Sequence, residues 1–219
     1  MPLRRTLALI TAALLLTGCA ANTPAASETT TAAPAPTSTP SQTPTPQQAA
    51  RLVVSIDGLE YVTDGVTDSA PFTDSDAVLA LLSKATGVTP EGEQLDTPDG
   101  YDAYFVKYQW DGISAIVDPQ GGYASVAVTS AATGDVELTT AEGVSVGAPR
   151  DAVTAAGGWE VGDMDGDGVT DSFGLGSQEV PGTTSLTHPG EVGIEYVLLQ
   201  MNGDTVGQIQ SPGNDYSDI

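Results

Sequence analysis

The residues best suited to chemistry in this sequence are the carboxylates between positions 163 and 171. Three aspartates alternate with other residues and a fourth follows, so their oxygens can converge on one point. A glycine at the sixth position allows a sharp reversal, and the next backbone carbonyl adds an uncharged oxygen. Ca²⁺ prefers such an oxygen cage. The spacing predicts a calcium site whose ligands are Asp163, Asp165, Asp167, the carbonyl of Val169 and Asp171, the last directly or through a water.

This stretch resembles the calcium loops of EF-hands, dockerins and thrombospondin-type repeats, over the loop alone. It departs from them at the twelfth position, where Gly174 replaces the expected glutamate, and its flanks lack the pattern of two helices. Glu160 or Glu179 could supply a remote ligand. Without one, the expected Kd is about 10⁻⁴ to 10⁻³ M. A bound ion is expected to be structural, because no nucleophile system lies nearby, and the alternative is an Asp/Gly-rich turn that binds nothing.

The other residue with a specific chemistry is Cys19, the only cysteine of the chain. Arg4 and Arg5 precede an apolar run from Leu7 to Leu16, which is the pattern of a secretory signal. At about ten residues the run is too short for a bilayer that needs roughly 20. The tetrapeptide Leu-Thr-Gly-Cys that ends at Cys19 resembles the lipobox of bacterial lipoproteins, and the Ala/Thr/Pro/Asp bias is typical of actinobacteria.

The lipobox resemblance implies cleavage before Cys19 and a diacylglycerol on its sulfur. The protein would then be extracytoplasmic and anchored to the cell membrane of a bacterium, since two acyl chains suffice for stable anchoring. The alternative is an ordinary signal peptide followed by a chance cysteine. The two arginines leave both the general secretory route and the twin-arginine route open.

Charge restricts the class of partner, and cysteine content restricts the covalent cross-links within the domain. The 219 residues include 29 Asp and Glu against 6 Lys and Arg, which gives a net charge of -23. Nucleic acid is excluded as a direct partner, because its binding requires basic patches. A single cysteine excludes an intramolecular disulfide. We expect the membrane as a partner through the lipid on Cys19, together with an unknown envelope or secreted protein or a glycan.

Composition divides the chain into three parts. Residues 1–18 form the signal peptide, and residues 19–50 form a lipidated tether rich in Ala, Thr and Pro. The tether has too little apolar bulk to offset the entropy of ordering, so we expect it to be disordered. Residues 51–219 alternate apolar and polar positions between turn dipeptides, which predicts one domain of two repeats, about 52–119 and 123–213.

The repeats predict an α+β fold with helices packed on an antiparallel sheet. Each repeat has the order hairpin, helix, loop, hairpin. In the first, Thr73-Asp74-Ser75-Asp76 offers a helix start, apolar residues follow at helical spacing, and Gly87 ends the helix. The second helix is expected from Pro149 to about residue 156. The tandem order resembles the β-lactamase inhibitor protein, mainly through Gly143-Val144-Ser145-Val146-Gly147 with Asp151-Ala152-Val153, and this resemblance implies a concave sheet that binds a protein.

No catalytic residues are expected. The only histidine, His188, is interpreted as a solvated loop residue, and no Gly-x-Ser-x-Gly elbow occurs. The sequence therefore indicates a non-enzymatic, calcium-binding interaction module in the cell envelope. Two alternatives stay open: a carboxylate-dependent hydrolase of cell-wall or polysaccharide material, and a purely structural or sensor module.

Overall fold

The computed structural model describes residues 49–96, 104–120 and 122–216. Cys19, the predicted signal peptide and nearly all of the predicted tether lie outside the described residues, and the domain boundaries remain predictions. Two helices and thirteen strands lie in the described part of the chain. In chain order they are β1 Arg51–Val54, β2 Gly58–Thr63, β3 Val66–Pro71, α1 Ser75–Thr86, β4 Glu93–Gln94, β5 Val106–Trp110, β6 Ile113–Val117, β7 Ala124–Val128, β8 Ala132–Thr133, β9 Val136–Thr140, α2 Arg150–Ala155, β10 Trp159–Gly162, β11 Ser172–Glu179, β12 Ile194–Asn202 and β13 Thr205–Asn214.

The smaller sheet has five strands in the order β3-β2-β1-β9-β8. Its first three strands form an antiparallel meander, and the β2–β3 connection is Asp64-Gly65. Both residues have positive φ, 50° and 77°, as two-residue turns that match the twist of a hairpin require. β1 also pairs in parallel with β9. That parallel pairing connects the first strand of the domain to a strand from its middle.

The larger sheet has eight strands in the order β10-β11-β12-β13-β7-β6-β5-β4, and all of its neighbours are antiparallel. β7 pairs with β6 on one side and with β13 on the other. The last strand therefore returns to the middle of the sheet, and the hairpin of β10 and β11 lies at one end of it.

One hydrophobic core joins the two sheets. Residues alternate between buried and more exposed positions along β6, β7 and β9, so each of these strands buries one face. The core includes Leu52 and Leu138 from the smaller sheet and Val126, Leu199 and Ile209 from the larger one. All five are at most 1% exposed. The interior is therefore built by the facing sheets.

The helix α1 forms where the sequence predicts it. The side chain of Asp74 accepts a hydrogen bond from the backbone N–H of Ala77 at 3.0 Å, which caps the N-terminus. Gly87 ends the helix in a left-handed conformation with φ 71°. Val78 and Leu82 are fully buried in the common core.

The predicted α+β fold is wrong, because the described chain is predominantly β. α1 has 12 residues and α2 has 6, which is too little helix to cover a sheet face. Strands β7 and β9, which both fall within the predicted second repeat, belong to different sheets. Residues 143–147, on which the likeness to the β-lactamase inhibitor protein mainly rests, lie in turns between β9 and α2, and that likeness remains a prediction.

We predict that Ser211→Ala weakens the contact between the two sheets. Ser211 is fully buried on β13, and its hydroxyl donates a hydrogen bond to the Ser55 carbonyl at 2.8 Å. The substitution leaves that carbonyl without this donor and should lower the free energy of unfolding by about 1–2 kcal/mol, measured by urea unfolding. Ser69→Ala, on the exposed side of β3, should change it by less than about 0.5 kcal/mol. Equal effects of the two substitutions would contradict the prediction.

Candidate metal centre

The aspartate loop connects β10 and β11, which pair as an antiparallel hairpin. Trp159 lies opposite Gly174 and Glu160 lies opposite Phe173, and the register shifts before Gly162. The backbone N–H of Asp171 donates to the carbonyl of Gly162 at 2.8 Å and closes the loop at its base. The flanks are thus strands, and the loop 163–171 is the tip of a hairpin at one end of the larger sheet.

Each aspartate of the loop accepts hydrogen bonds from nearby backbone amides. Asp163 receives the N–H of Gly166 on Oδ1 at 2.7 Å and that of Gly168 on Oδ2 at 2.8 Å. Asp165 and Asp167 each accept from the amide two residues further on, at 3.1 and 2.7 Å. Short polar side chains favour such turns, and the alternating pattern of the sequence therefore folds as a series of them.

Two glycines allow the loop to reverse around Asp163. Gly166 and Gly168 have φ angles of 76° and 89°, in the left-handed region that favours glycine. Their amides are the two that donate to the Asp163 carboxylate. The glycines of the motif therefore bring the backbone around one carboxylate.

Three of the predicted ligands converge. Asp163, Asp165 and Asp171 each offer a carboxylate oxygen, and these oxygens lie within 4.8 Å of one another. Calcium–oxygen distances are about 2.3–2.6 Å, so two ligands on opposite sides of the ion are about 5 Å apart. The oxygen separation and the hard oxygen donors are compatible with a bound cation, so this small cluster could hold a metal ion.

The remaining predicted ligands are not in this cluster. Asp167 belongs to the same loop but lies outside the converging group. Val169, whose carbonyl is the fifth predicted ligand, is 48% exposed at the loop surface. Glu160 on β10 and Glu179 at the end of β11 are also outside the group. The cluster therefore leaves coordination positions that water or another oxygen ligand would fill.

Backbone amides donate hydrogen bonds to the carboxylates of the cluster. The N–H groups of Gly168 and then Gly166 hold the pKa of Asp163 below its usual value. The side chain of Asp171 accepts from the amides of Met164 at 2.7 Å and Asp165 at 3.3 Å. Three carboxylates this close repel one another, and a divalent cation would remove the repulsion.

Arg150 fixes the C-terminal half of the loop. Its guanidinium donates to the carbonyl of Thr170 at 2.6 Å and to that of Gly203 at 3.2 Å, and it lies 5.3 Å from the centroid of the Phe173 ring. The amide of Met201 also donates to the Asp171 carbonyl at 2.8 Å. Arg150 was not among the residues predicted from the sequence. Its rarity was the available signal, since the chain has only 6 Lys and Arg.

His188 lies in a second polar cluster that holds the loop between β11 and β12. Its Nδ1 is 3.0 Å from the Thr187 hydroxyl, and its backbone N–H donates to Ser185. Ser185 in turn donates to Asp215 at 2.5 Å. Partial burial tends to raise the pKa of Asp215, but hydrogen bonds from Ser185, the Ile194 amide and Thr187 outweigh it, and the pKa is lowered. His188 is exposed. The hydrogen bonds from Ser185 and Thr187 to Asp215 join the β11–β12 loop to the residue that follows β13, so the role of this cluster is structural.

Comparison with protein-family models, with curated protein sequences and with solved structures finds no match for this chain. Within the described ranges, no helix is long and apolar enough to span a membrane.

We predict that Asp163→Asn loosens the loop even without calcium. Both oxygens of Asp163 accept backbone N–H groups, and an asparagine can accept on one side only. Asp165→Asn keeps the oxygen that accepts the Asp167 amide and serves as the matched control. Hydrogen exchange in chelator should be faster at Gly166 or Gly168 in Asp163→Asn and nearly unchanged in Asp165→Asn. Similar exchange in both variants would show that Asp163 does not organise the loop.

Proposed function

We propose that this protein is an extracytoplasmic lipoprotein, anchored through a lipid on Cys19, whose β domain is a calcium-binding interaction module of the cell envelope. The anchor is supported by the paired arginines, the short apolar run and the lipobox-like tetrapeptide at residues 16–19. The binding role is supported by a strongly acidic domain that lies beyond a spacer of some thirty residues rich in Ala, Thr and Pro.

The observation that carries the calcium proposal is the convergence of Asp163, Asp165 and Asp171 on the loop surface. Both ends of the loop join paired strands, whereas residues 163–169 are held largely by hydrogen bonds to their own aspartates. An ion bound to Asp163 and Asp165 in the N-terminal half of the loop and to Asp171 at its C-terminal end would connect these two parts. Its role in the proposal is therefore to order the hairpin tip.

Calcium should raise the melting temperature of the full chain. With a Kd of about 10⁻⁴ to 10⁻³ M, 10 mM calcium would stabilise the folded state by about 1.4–2.7 kcal/mol. For a domain of this size that is a rise of roughly 3–11 °C, measured by differential scanning calorimetry against chelator. Magnesium at the same concentration should have little effect, because Mg²⁺ loses its hydration water reluctantly.

Two variants separate a specific site from general screening of the negative charge. Asp165→Asn removes one converging carboxylate and should reduce the calcium shift to less than about a third of the parent value. Asp135→Asn makes the same charge change in the exposed β8–β9 turn and should keep the full shift. An equal shift in both variants, or an equal shift with magnesium, would refute a specific calcium site at this loop.

The anchor is tested by Cys19→Ser in the source organism. The parent should incorporate labelled fatty acid and sediment with membranes, because two acyl chains give stable anchoring. Cys19→Ser should lose the label and leave the membrane fraction, whereas Thr23→Ser, outside the tetrapeptide, should behave as the parent. Label retained in Cys19→Ser would contradict lipidation at this residue.

A further inference from the structure

The larger sheet has a face that is turned away from the core. Across seven of its strands one row of residues is in register: Trp159, Gly174, Leu198, Gln210, Ala127, Ser114 and Gln109. Their neighbours along the strands, such as Val126, Leu199 and Ile209, are buried in the core. Successive side chains of a strand point to opposite faces, so this row lies on the outer side. We call the surface formed by this row the open face.

The open face is uncharged, although the chain has 29 Asp and Glu. No residue of the row is ionisable. In the adjacent row, Lys107, Ile116 and Ser125 lie side by side, and the one carboxylate paired at that edge, Glu93, is opposite Lys107. The net charge of -23 on the chain would repel an anionic polymer. The electrostatics of the open face therefore match a neutral partner.

Two amides and a hydroxyl lie between the middle of the open face and the end opposite Trp159. Ser114 and Gln210 each carry a group that can donate and accept hydrogen bonds. The amide nitrogen of Gln109 donates to the carbonyls of Trp110 and Ile113, both at 2.9 Å, so its orientation is fixed before any ligand arrives and its oxygen can act as an acceptor. Such groups match sugar hydroxyls, which also both donate and accept.

An aromatic platform lies at one end of the row. The Trp159 ring rests directly on Gly174, where an added Cβ would come within 2.3 Å of the indole. Tyr196 meets the same indole edge to face, with centroids 5.7 Å apart and a 66° angle between the planes. Trp159 is only half-buried. The indole can therefore offer an apolar surface to the carbon face of a sugar ring, beside polar groups on the neighbouring strands.

We propose that the open face binds a neutral polysaccharide chain that crosses the strands from Trp159 towards Gln109. This inference rests on the proposed function as an envelope-binding module and names the class of its partner. Six steps between strands of about 4.8 Å give a row about 29 Å long, which suits an extended polymer. The cores of protein interfaces are instead enriched in aromatic residues, Met and Arg, whereas the centre of this row consists of Gln, Ser and Ala.

The test is co-sedimentation of the full chain carrying Cys19→Ser, which has no lipid anchor, with detergent-extracted cell envelopes of the source organism. One portion of the envelopes is treated with protease, and another with periodate, which cleaves the vicinal diols of sugars. Binding should survive protease and be lost after periodate. Gln210→Glu and Ser114→Asp place a carboxylate on the open face and should each weaken binding at least tenfold. Gln94→Glu makes the same charge change on the exposed β4 strand and should bind as the parent.

The outcomes separate this inference from the proposed function. Sedimentation that is lost after protease, survives periodate or is unchanged in Gln210→Glu overturns the polysaccharide inference and leaves an envelope-binding role in place. No sedimentation of the parent overturns the envelope-binding role itself. Thermal unfolding of each variant, measured alongside, shows that it is folded under the conditions of the assay.

Discussion

The hydrophobic interior between the two sheets is the interaction on which the remaining structure depends. The only cysteine is Cys19, so no disulfide cross-links the domain. In the described part of the chain one ion pair is formed, Lys84 with Asp68, and both side chains are at least 41% exposed, so it adds little stability. The core residues of both sheets must therefore supply most of the free energy of folding. The parallel pairing of β1 with β9 keeps the two strands that contribute Leu52 and Leu138 side by side.

The rest of the domain makes more contacts with the C-terminal end of the aspartate loop than with its N-terminal part. Its C-terminal end is attached to the rest of the molecule through Arg150 and the Met201 amide. Its N-terminal part continues from β10, which is an end strand of the sheet as far as the structure describes it and there pairs with β11 alone. Residues 163–169 then depend on the hydrogen bonds of their own aspartates. The part of the loop with the fewest outside contacts is thus the part that carries two of the three converging carboxylates.

Local patterns in the sequence predicted local structure well. In the first predicted repeat, hairpins are present at the turn dipeptides Asp57-Gly58 and Asp111-Gly112, and so is the helix that ends at Gly87, because turn chemistry and helix capping act within a few residues. The strands β10 and β11 were not expected, since glycine and aspartate dominate that stretch and their pairing is set by packing on β12. The parallel pairing of β1 with β9 joins residues that are far apart in sequence, and local periodicity carries no information about it.

The candidate metal site was likewise predictable only in its local part. The spacing along the chain identified Asp163, Asp165 and Asp171, whereas Arg150, which holds the loop, comes from α2.

The loop and the open face share one strand. Trp159, the aromatic end of the open face, begins β10, and Asp163 follows directly after that strand ends. Among the described strands β10 pairs with β11 alone, so its position depends on β11, on the indole contacts with Gly174 and Tyr196, and on the closure of the loop. A cation that joins Asp163 to Asp171 ties the end of β10 to the start of β11 and limits the fraying of the edge strand. The proposed calcium site would thus hold the aromatic platform in place without touching the proposed polysaccharide ligand, and an ion at the hairpin tip would have a physical route to influence binding on the sheet.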